Sequence, residues 1–392
     1  MSEKITCQVC GEKVHAIQTH IKEAHPDITL AEYQERYPDA PILSETAKRI
    51  ISEKQAEKRR AAQAADSGVV AKVAAAGVAA TTMMKKALHE VFELGAVPAA
   101  MNAKGDPIGI NVFSRGGAFD DLVPEKDASY IFNINLLRTV LIGLEVNIPT
   151  YLWGHAGTGK TTQLEQVCAY TGRPFLRVQH TVNTEEAHIV GQWTVRDGST
   201  HYELGPLAVA MKYGLVYCGD EYDFAMPSVL SVYQPVLEGK ALIIKDAPQE
   251  MRVVRPHPNF RFVATGNTNG VGDETGLYQG TNIQNAANYE RFGIVERVEY
   301  MPPEQEEMVL TAKTGIGKGD STKLVKFANE IRTTYSAGKI GSTVSPRAMI
   351  NATKLGLMRG SDWRGGIALA VTNRMSRVDK EVCDQVAQRI WG

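Results

Sequence analysis

Fold class and chemistry are both written most plainly in residues 149–162, Pro149-Thr-Tyr-Leu-Trp-Gly154-His155-Ala156-Gly157-Thr158-Gly159-Lys160-Thr161-Thr162. An apolar run leads into a glycine-rich turn, and the following TTQLEQVCAY has helix-forming composition. The turn matches G-x-x-x-x-G-K-[ST] in the strand–turn–helix setting that the motif requires. Glycines let the backbone curl so that successive N–H groups face phosphate oxygens. The helix N-terminus adds partial positive charge. Lys160 can reach the β- and γ-phosphates, and the Thr161 hydroxyl can ligate Mg²⁺. Gly154 through Thr162 are therefore the expected phosphate-binding residues.

Other apolar runs have the same texture: Ile148 to Leu152, Phe175 to Val178, Leu215 to Cys218 and Phe260 to Ala264. They predict buried parallel strands in an α/β fold, with ligands beyond the strands' carboxyl ends. One such end carries Asp220 and Glu221, about sixty residues after the loop lysine. Asp220 is placed to hold Mg²⁺ through water, and Glu221 to polarise an attacking water. Gly219 is irregular, since such strands usually carry a bulky apolar residue there, and Cys218 reads as a buried strand residue. After Phe260 to Thr265 come Gly266 and Asn267, whose amide is a candidate to orient that water. Arg291 and Arg347 are the candidate cations for the γ-phosphate. Pro346 suits the first turn of a helix that carries Arg347.

The 392 residues predict two to three domains at about 150 residues each. Forty-three Lys and Arg balance 44 Asp and Glu, which argues against a protein whose main task is to coat nucleic acid. Five cysteines in a chain of this size fit a reducing, cytoplasmic setting rather than a disulfide scaffold. No apolar stretch is long enough to span a membrane, so no membrane partner is expected. The texture divides the chain at 1–45, 46–119, 120–301 and 302–392. The second region is Ala-rich and reads as a helical connector, with a basic run from Lys54 to Arg60 that reads as a solvated helix face. The last region reads as a small helical domain.

Near the N-terminus, Cys7-x2-Cys10-x9-His20-x4-His25 has the spacing of a tetrahedral zinc site. His15 is a spare ligand. A single small finger with two lysines and two glutamates between Ile5 and His25 favours a protein partner over DNA, while nucleic acid stays open as a second possibility.

Together these motifs resemble the AAA+ ATPases, in the branch holding MoxR-type ATPases and the magnesium and cobalt chelatase motors, and in particular the CobS type of cobaltochelatase subunit. The resemblance covers about Leu122 to Gly392. Its most specific part is RPHPNFRFVATGNT (255–268) with GDETGLYQGT (272–281), supported by ERF (290–292) and STVSPR (342–347). It implies an AAA+ core with a parallel sheet flanked by helices, a C-terminal helical lid, ATP and Mg²⁺ as ligands, and a ring, hexameric by family habit. Lys160 and Thr161 would be Walker A, Asp220 and Glu221 Walker B, and Asn267 sensor 1. Arg291 would be a finger acting on the neighbouring subunit's ATP, with Arg297 a weaker candidate. Arg347 would be sensor 2. Glu290 departs from the family's usual Asp before the finger. Val123, Pro124 and Tyr130 would lie near the adenine. Two insertions, at about 181–205 and 240–258, would face a pore or a partner, with Trp193 and Tyr202 either as contact residues or as buried packing.

The N-terminal site resembles the Ros/MucR type of C₂H₂ finger. Four readings of what ATP drives follow. One is cobalt insertion into a corrin ring beside a CobT-like partner. Another is MoxR-like remodelling of a complex with a von Willebrand A-domain protein. A third is a nucleic-acid-linked motor recruited by the finger, and the fourth an ATP-gated binding module. An intact Glu221 argues against the last.

Overall fold

A computed structural model describes residues 4–15, 17–25, 30–37, 40–42, 44, 46, 82–95, 97–196, 198–274 and 276–392. The chain divides into two units, Met1–Ala75 and Ala76–Gly392. The basic run from Lys54 to Arg60 lies outside the described residues.

In the first unit, strands Ile5–Thr6 and Lys13–Val14 pair antiparallel, and helix Ile17–Ala24 follows. Ile17, Ile21 and Tyr33 gather around the Cys7 side chain in a core too small to stand on burial alone. The spare His15 is engaged elsewhere, with Nδ1 2.9 Å from Ser44 Oγ.

The second unit is built on a five-stranded parallel sheet. Its strands are β1 (Thr150–Trp153), β2 (Phe175–Gln179), β3 (Val216–Asp220), β4 (Arg261–Gly266) and β5 (Ile294–Arg297). They lie in the order β5-β1-β4-β3-β2. The expected α/β class holds, and the four apolar runs become β1 to β4. The edge strand β5 carries Glu296 and Arg297, and its alternating exposure hides it from a search for apolar runs.

Two helices fix the sheet. α1 (Ile134–Val146) starts at Asn133, whose side chain accepts the N–H groups of Asn135 and Leu136. It lies so close to β1 that a Cβ on Gly143 would fall 2.2 Å from Thr150 Oγ1. α2 (Lys160–Thr171) follows the glycine-rich turn. Leu137, Leu144, Leu152, Val167, Cys218 and Val263 meet in the shared core. Cys218 is fully buried, as its sequence context predicts.

The helical connector expected over 46–119 is corrected in its described C-terminal part. Met83–Ala87 and Gly109–Phe113 pair as antiparallel strands. Leu88, Phe92 and Ile110 enter the same core as Leu137 and Val167, so this hairpin belongs to the α/β body. Gly172 at the end of α2 admits it, because a Cβ there would fall 2.3 Å from the Phe113 carbonyl oxygen.

Both expected insertions contain hairpins, Gly191–Arg196 with Ser199–Leu204 and Leu242–Ile243 with Val253–Val254. Tyr202 is buried and Trp193 half-exposed, with the Trp193 indole N–H donated to the Asp246 carbonyl of the second insertion at 3.0 Å. Among the described residues, no helix is long and apolar enough to cross a membrane.

From Pro303 the chain is helical, with helices Pro303–Thr314, Lys318–Ser336, Pro346–Met358, Trp363–Ala370 and Arg377–Trp391. Their core centres on Leu324, Phe327, Ile331, Met349 and Cys383. A buried bidentate pair crosses it: Arg332 donates to Glu306 at 2.6 and 2.8 Å. Arg332 Nε also donates to the Val344 carbonyl at 2.9 Å, which fixes the turn before Arg347. Removing one partner of such a pair strands a buried charge. Glu306→Ala is therefore expected to destabilise the helical region by about 3–5 kcal/mol, read by urea unfolding. A loss below about 1 kcal/mol would show that the pair does not hold this region together.

Candidate active site

The carboxyl ends of β1, β3 and β4 converge on the turn after Trp153. Gly154 (φ 145°), Gly157 (φ 78°) and Gly159 (φ 92°) adopt backbone angles that side chains resist. Gly157 is also pressed by the helical region, since a Cβ there would fall 2.7 Å from Ser345 Cβ. Gly159 has open space where a Cβ would stand, immediately before the first turn of α2. That cradle, with the N-terminus of a long helix behind it, fits a phosphate.

Lys160 is nearly buried. Its Nζ donates to the carbonyls of Gly154 at 2.6 Å and His155 at 3.0 Å, and to Asn267 Oδ1 at 3.2 Å. Burial lowers the ammonium to about 8, against the pull of Asp223, Asp220 and Glu221, so it stays charged at neutral pH. The structure thus joins the loop lysine to the expected sensor Asn267.

Thr161 Oγ1 donates to Asp220 Oδ1 at 2.7 Å, and Thr265 donates to the same oxygen. Arg177 of β2 donates through Nε to Asp220 Oδ2 at 2.7 Å. Burial pushes the Asp220 carboxyl up, but the Thr265 and Thr161 hydroxyls and the Arg177 charge outweigh it, and the group lies below its ordinary value. A hydroxyl and a hard carboxylate side by side fit Mg²⁺. Thr162 follows on the first turn of α2.

Glu221 adopts a left-handed conformation, φ 50°, just after β3. Its Oε2 accepts the Gln179 amide at 2.8 Å. Asp223 is fully buried, and its Oδ2 accepts the backbone N–H of Asn267 and of Thr268, both at 2.8 Å, and the Thr268 hydroxyl at 2.9 Å. Burial raises this carboxyl. Gly219 also finds its reason: a Cβ there would meet the rings of His180 and Tyr222, each at 3.2 Å.

Arg347 stands in the first turn of helix Pro346–Met358, where Ser345 caps the helix, beside Gly157 and close enough to act on the Lys160 charge. Arg291 is directed elsewhere, with Nε 2.6 Å from Glu238 Oε1. Arg297 pairs with Glu299 at 2.8 Å and covers the Trp153 ring. Tyr130 hydrogen-bonds Gln163 of α2 at 2.9 Å. Val123 instead lines a cavity with Pro174 and Leu215, at the amino ends of β2 and β3, away from the phosphate loop.

Sequence reasoning passed over Arg177, Gln179, Asp223 and Thr265. A signal exists for the first two, since they alternate along β2 and Gln179 pairs in register with Asp220. It becomes legible only once β2 is known to neighbour β3.

In the N-terminal unit, Cys7, Cys10, His20 and His25 offer ligand atoms that all lie within 4.8 Å of one another. Cys10 Sγ is 3.2 Å from His20 Nε2, and Cys7 Sγ is 3.9 Å from His25 Nε2. Two thiols and two imidazoles at such separations fit a tetrahedral zinc ion.

Residues 149–292 match the AAA domain of the dynein-related subfamily. Residues 306–390 match the CbbQ/NirQ/NorQ C-terminal family. The aerobic cobaltochelatase subunit CobS of a Sinorhizobium species is 32% identical over 293 residues, 72% of this chain and 86% of that protein. Protein CbbQ of Hydrogenophilus thermoluteolus is 25% identical, over 53% of this chain and 74% of that protein. Protein NorQ of Paracoccus denitrificans is 24% identical, over 53% and 73%. With its parallel sheet, phosphate loop and paired Thr161 and Asp220, the chain belongs to the CbbQ/NorQ/CobS family of MoxR-like AAA+ ATPases, P-loop enzymes that hydrolyse ATP.

Proposed function

We propose that this ATPase works as a ring, hexameric by family habit, and drives a partner complex as the CobS subunit's relatives suggest, with cobalt insertion into a corrin ring as the first candidate reaction. The observation that carries the catalytic part is the 2.7 Å bond between Thr161 and Asp220 beside the buried Lys160. Mg²⁺, when bound, neutralises the β- and γ-phosphate oxygens of ATP, and Thr161 and Asp220 are the residues that would hold it. Lys160 Nζ, oriented by the His155 carbonyl and Asn267, turns its remaining donor from the Gly154 carbonyl to a phosphate oxygen. Asn267, on the same ammonium, orients the attacking water, and Glu221 accepts its proton. Gln179 holds the Glu221 carboxylate meanwhile. Arg347 acts on its own chain's nucleotide. Arg291, tied to Glu238 in its own chain, serves the site of the neighbouring subunit.

The CobS likeness supports a motor subunit with a CobT-like or von Willebrand A-domain partner. The cysteine–histidine cluster supports a second element, a structural zinc module that recruits the partner, with nucleic acid as the alternative occupant. Five cysteines without disulfides support a cytoplasmic setting.

Mixing tests the shared site. Arg291→Ala alone and Glu221→Gln alone should each lose at least about a hundredfold in ATP turnover while still binding ATP. Mixed together, they should regain turnover at interfaces that pair an intact Arg291 with an intact Glu221. If the mixture stays as inactive as its components, Arg291 does not act across the interface.

Metal analysis tests the zinc module. The intact protein should carry about one zinc per chain. Cys10→Ser should lose it, unfold residues 1–45, and keep ATP turnover, because the sheet has a core of its own. A metal-free wild-type protein with the N-terminal unit folded would contradict the assignment.

A further inference from the structure

The motif at 272–281 belongs to the most specific part of the family resemblance, and the hydrolysis itself does not use it. In the structure it lies beyond β4, and its Tyr278 reaches the phosphate loop. Tyr278 Oη accepts the backbone N–H of Ala156 at 3.0 Å and lies 3.0 Å from His155 Nδ1. The other end of the same peptide unit, the His155 carbonyl, accepts Lys160 Nζ. One peptide group is therefore held at its oxygen by the lysine that reads phosphate and by the Thr158 hydroxyl at 2.9 Å, and at its nitrogen by Tyr278.

The tyrosine is itself pinned. Its backbone N–H donates to Asp273 Oδ2 at 2.7 Å, and its carbonyl accepts the Thr281 N–H and hydroxyl at 3.1 and 3.0 Å. The imidazole it touches is fixed from two other sides. The His155 ring stacks on Tyr300, 5.9 Å between centroids and 8° between planes, and meets Tyr335 of helix Lys318–Ser336 edge-on at 5.6 Å.

A clamp is needed here for a physical reason. Gly154 and Gly157 flank the His155–Ala156 peptide with backbone angles open to glycine, so the chain has a swivel on each side of it. Thr158 and Lys160 hold the oxygen end of this peptide, and Tyr278 holds its N–H end, without which the unit could tilt about its oxygen and carry the Lys160 contact with it.

We propose that Tyr278 is a positioning residue for ATP binding: its hydroxyl fixes the His155–Ala156 peptide, and through it the Lys160 ammonium, in the orientation that receives the triphosphate. Burial raises the Tyr278 hydroxyl to about 12, so the clamp stays neutral and puts no negative charge beside the incoming phosphates. The motif at 272–281 thus reports on the phosphate loop from β4, while Tyr335 does so from the helical region. This inference rests on the ATPase activity alone, not on the ring or its partner.

Tyr278→Phe tests it in the full-length protein with Mg²⁺ and ATP, because it keeps the ring and removes only the oxygen. Loss of one hydrogen bond predicts a rise of about fivefold in KM for ATP. Because Thr161, Asp220 and Glu221 are untouched, kcat should stay within about twofold. Asp273→Asn, which loosens the Tyr278 backbone, should give the same split in smaller measure. A wild-type KM in both variants overturns the proposal. A fall in kcat and melting temperature with KM unchanged also overturns it, since that pattern marks a residue that only packs.

Discussion

A lysine ammonium taken out of water must find oxygen partners or lose its charge, and the catalytic end of this protein is arranged around that requirement. Lys160 meets it with two loop carbonyls and the Asn267 side chain. For those carbonyls to turn inward the loop must curl, which places glycines at 154, 157 and 159. Gly154 is further constrained by the residue that follows β5, because a Cβ there would fall 2.4 Å from the Val298 carbonyl oxygen. The fully buried Asp223 adds a neighbouring carboxylate and binds the backbone of Asn267 and Thr268. Lysine, sensor amide and phosphate loop therefore form one hydrogen-bonded body, in which a shift of any member is felt by the others.

That arrangement explains which parts of the protein could be read in advance. The phosphate loop is legible because its chemistry is local: glycine angles, a lysine and a hydroxyl within nine residues. The Asp220–Glu221 pair is legible because it ends an apolar run. What escaped depends on which strands are neighbours. Arg177 and Gln179 look like ordinary polar positions until β2 is laid against β3, where they meet Asp220 and Glu221. Gly219 looks like a flaw in the strand until the rings of His180 and Tyr222 fill the space beside it. The hairpin from Met83 to Phe113 was lost in the Ala-rich texture before it, although Ile110 and Leu88 enter the main core.

The helical region touches the site at named side chains. Ser345 presses on Gly157, Tyr335 on the His155 ring, and Lys313 pairs with Asp127 across the two layers. A change in the phosphate loop therefore reaches these helices directly. On the surface, the two inserted hairpins expose Val195, Ile243 and Val253, and the Trp193 indole joins them at Asp246.

An ammonium that organises the site in this way is also the group that the triphosphate should depend on. Calorimetric titration of Lys160→Ala with Mg²⁺ and ATP tests it most directly. Binding at least about a hundredfold weaker than wild type is expected, because a charged, desolvated partner of the phosphates is gone. Wild-type affinity in that variant would contradict it.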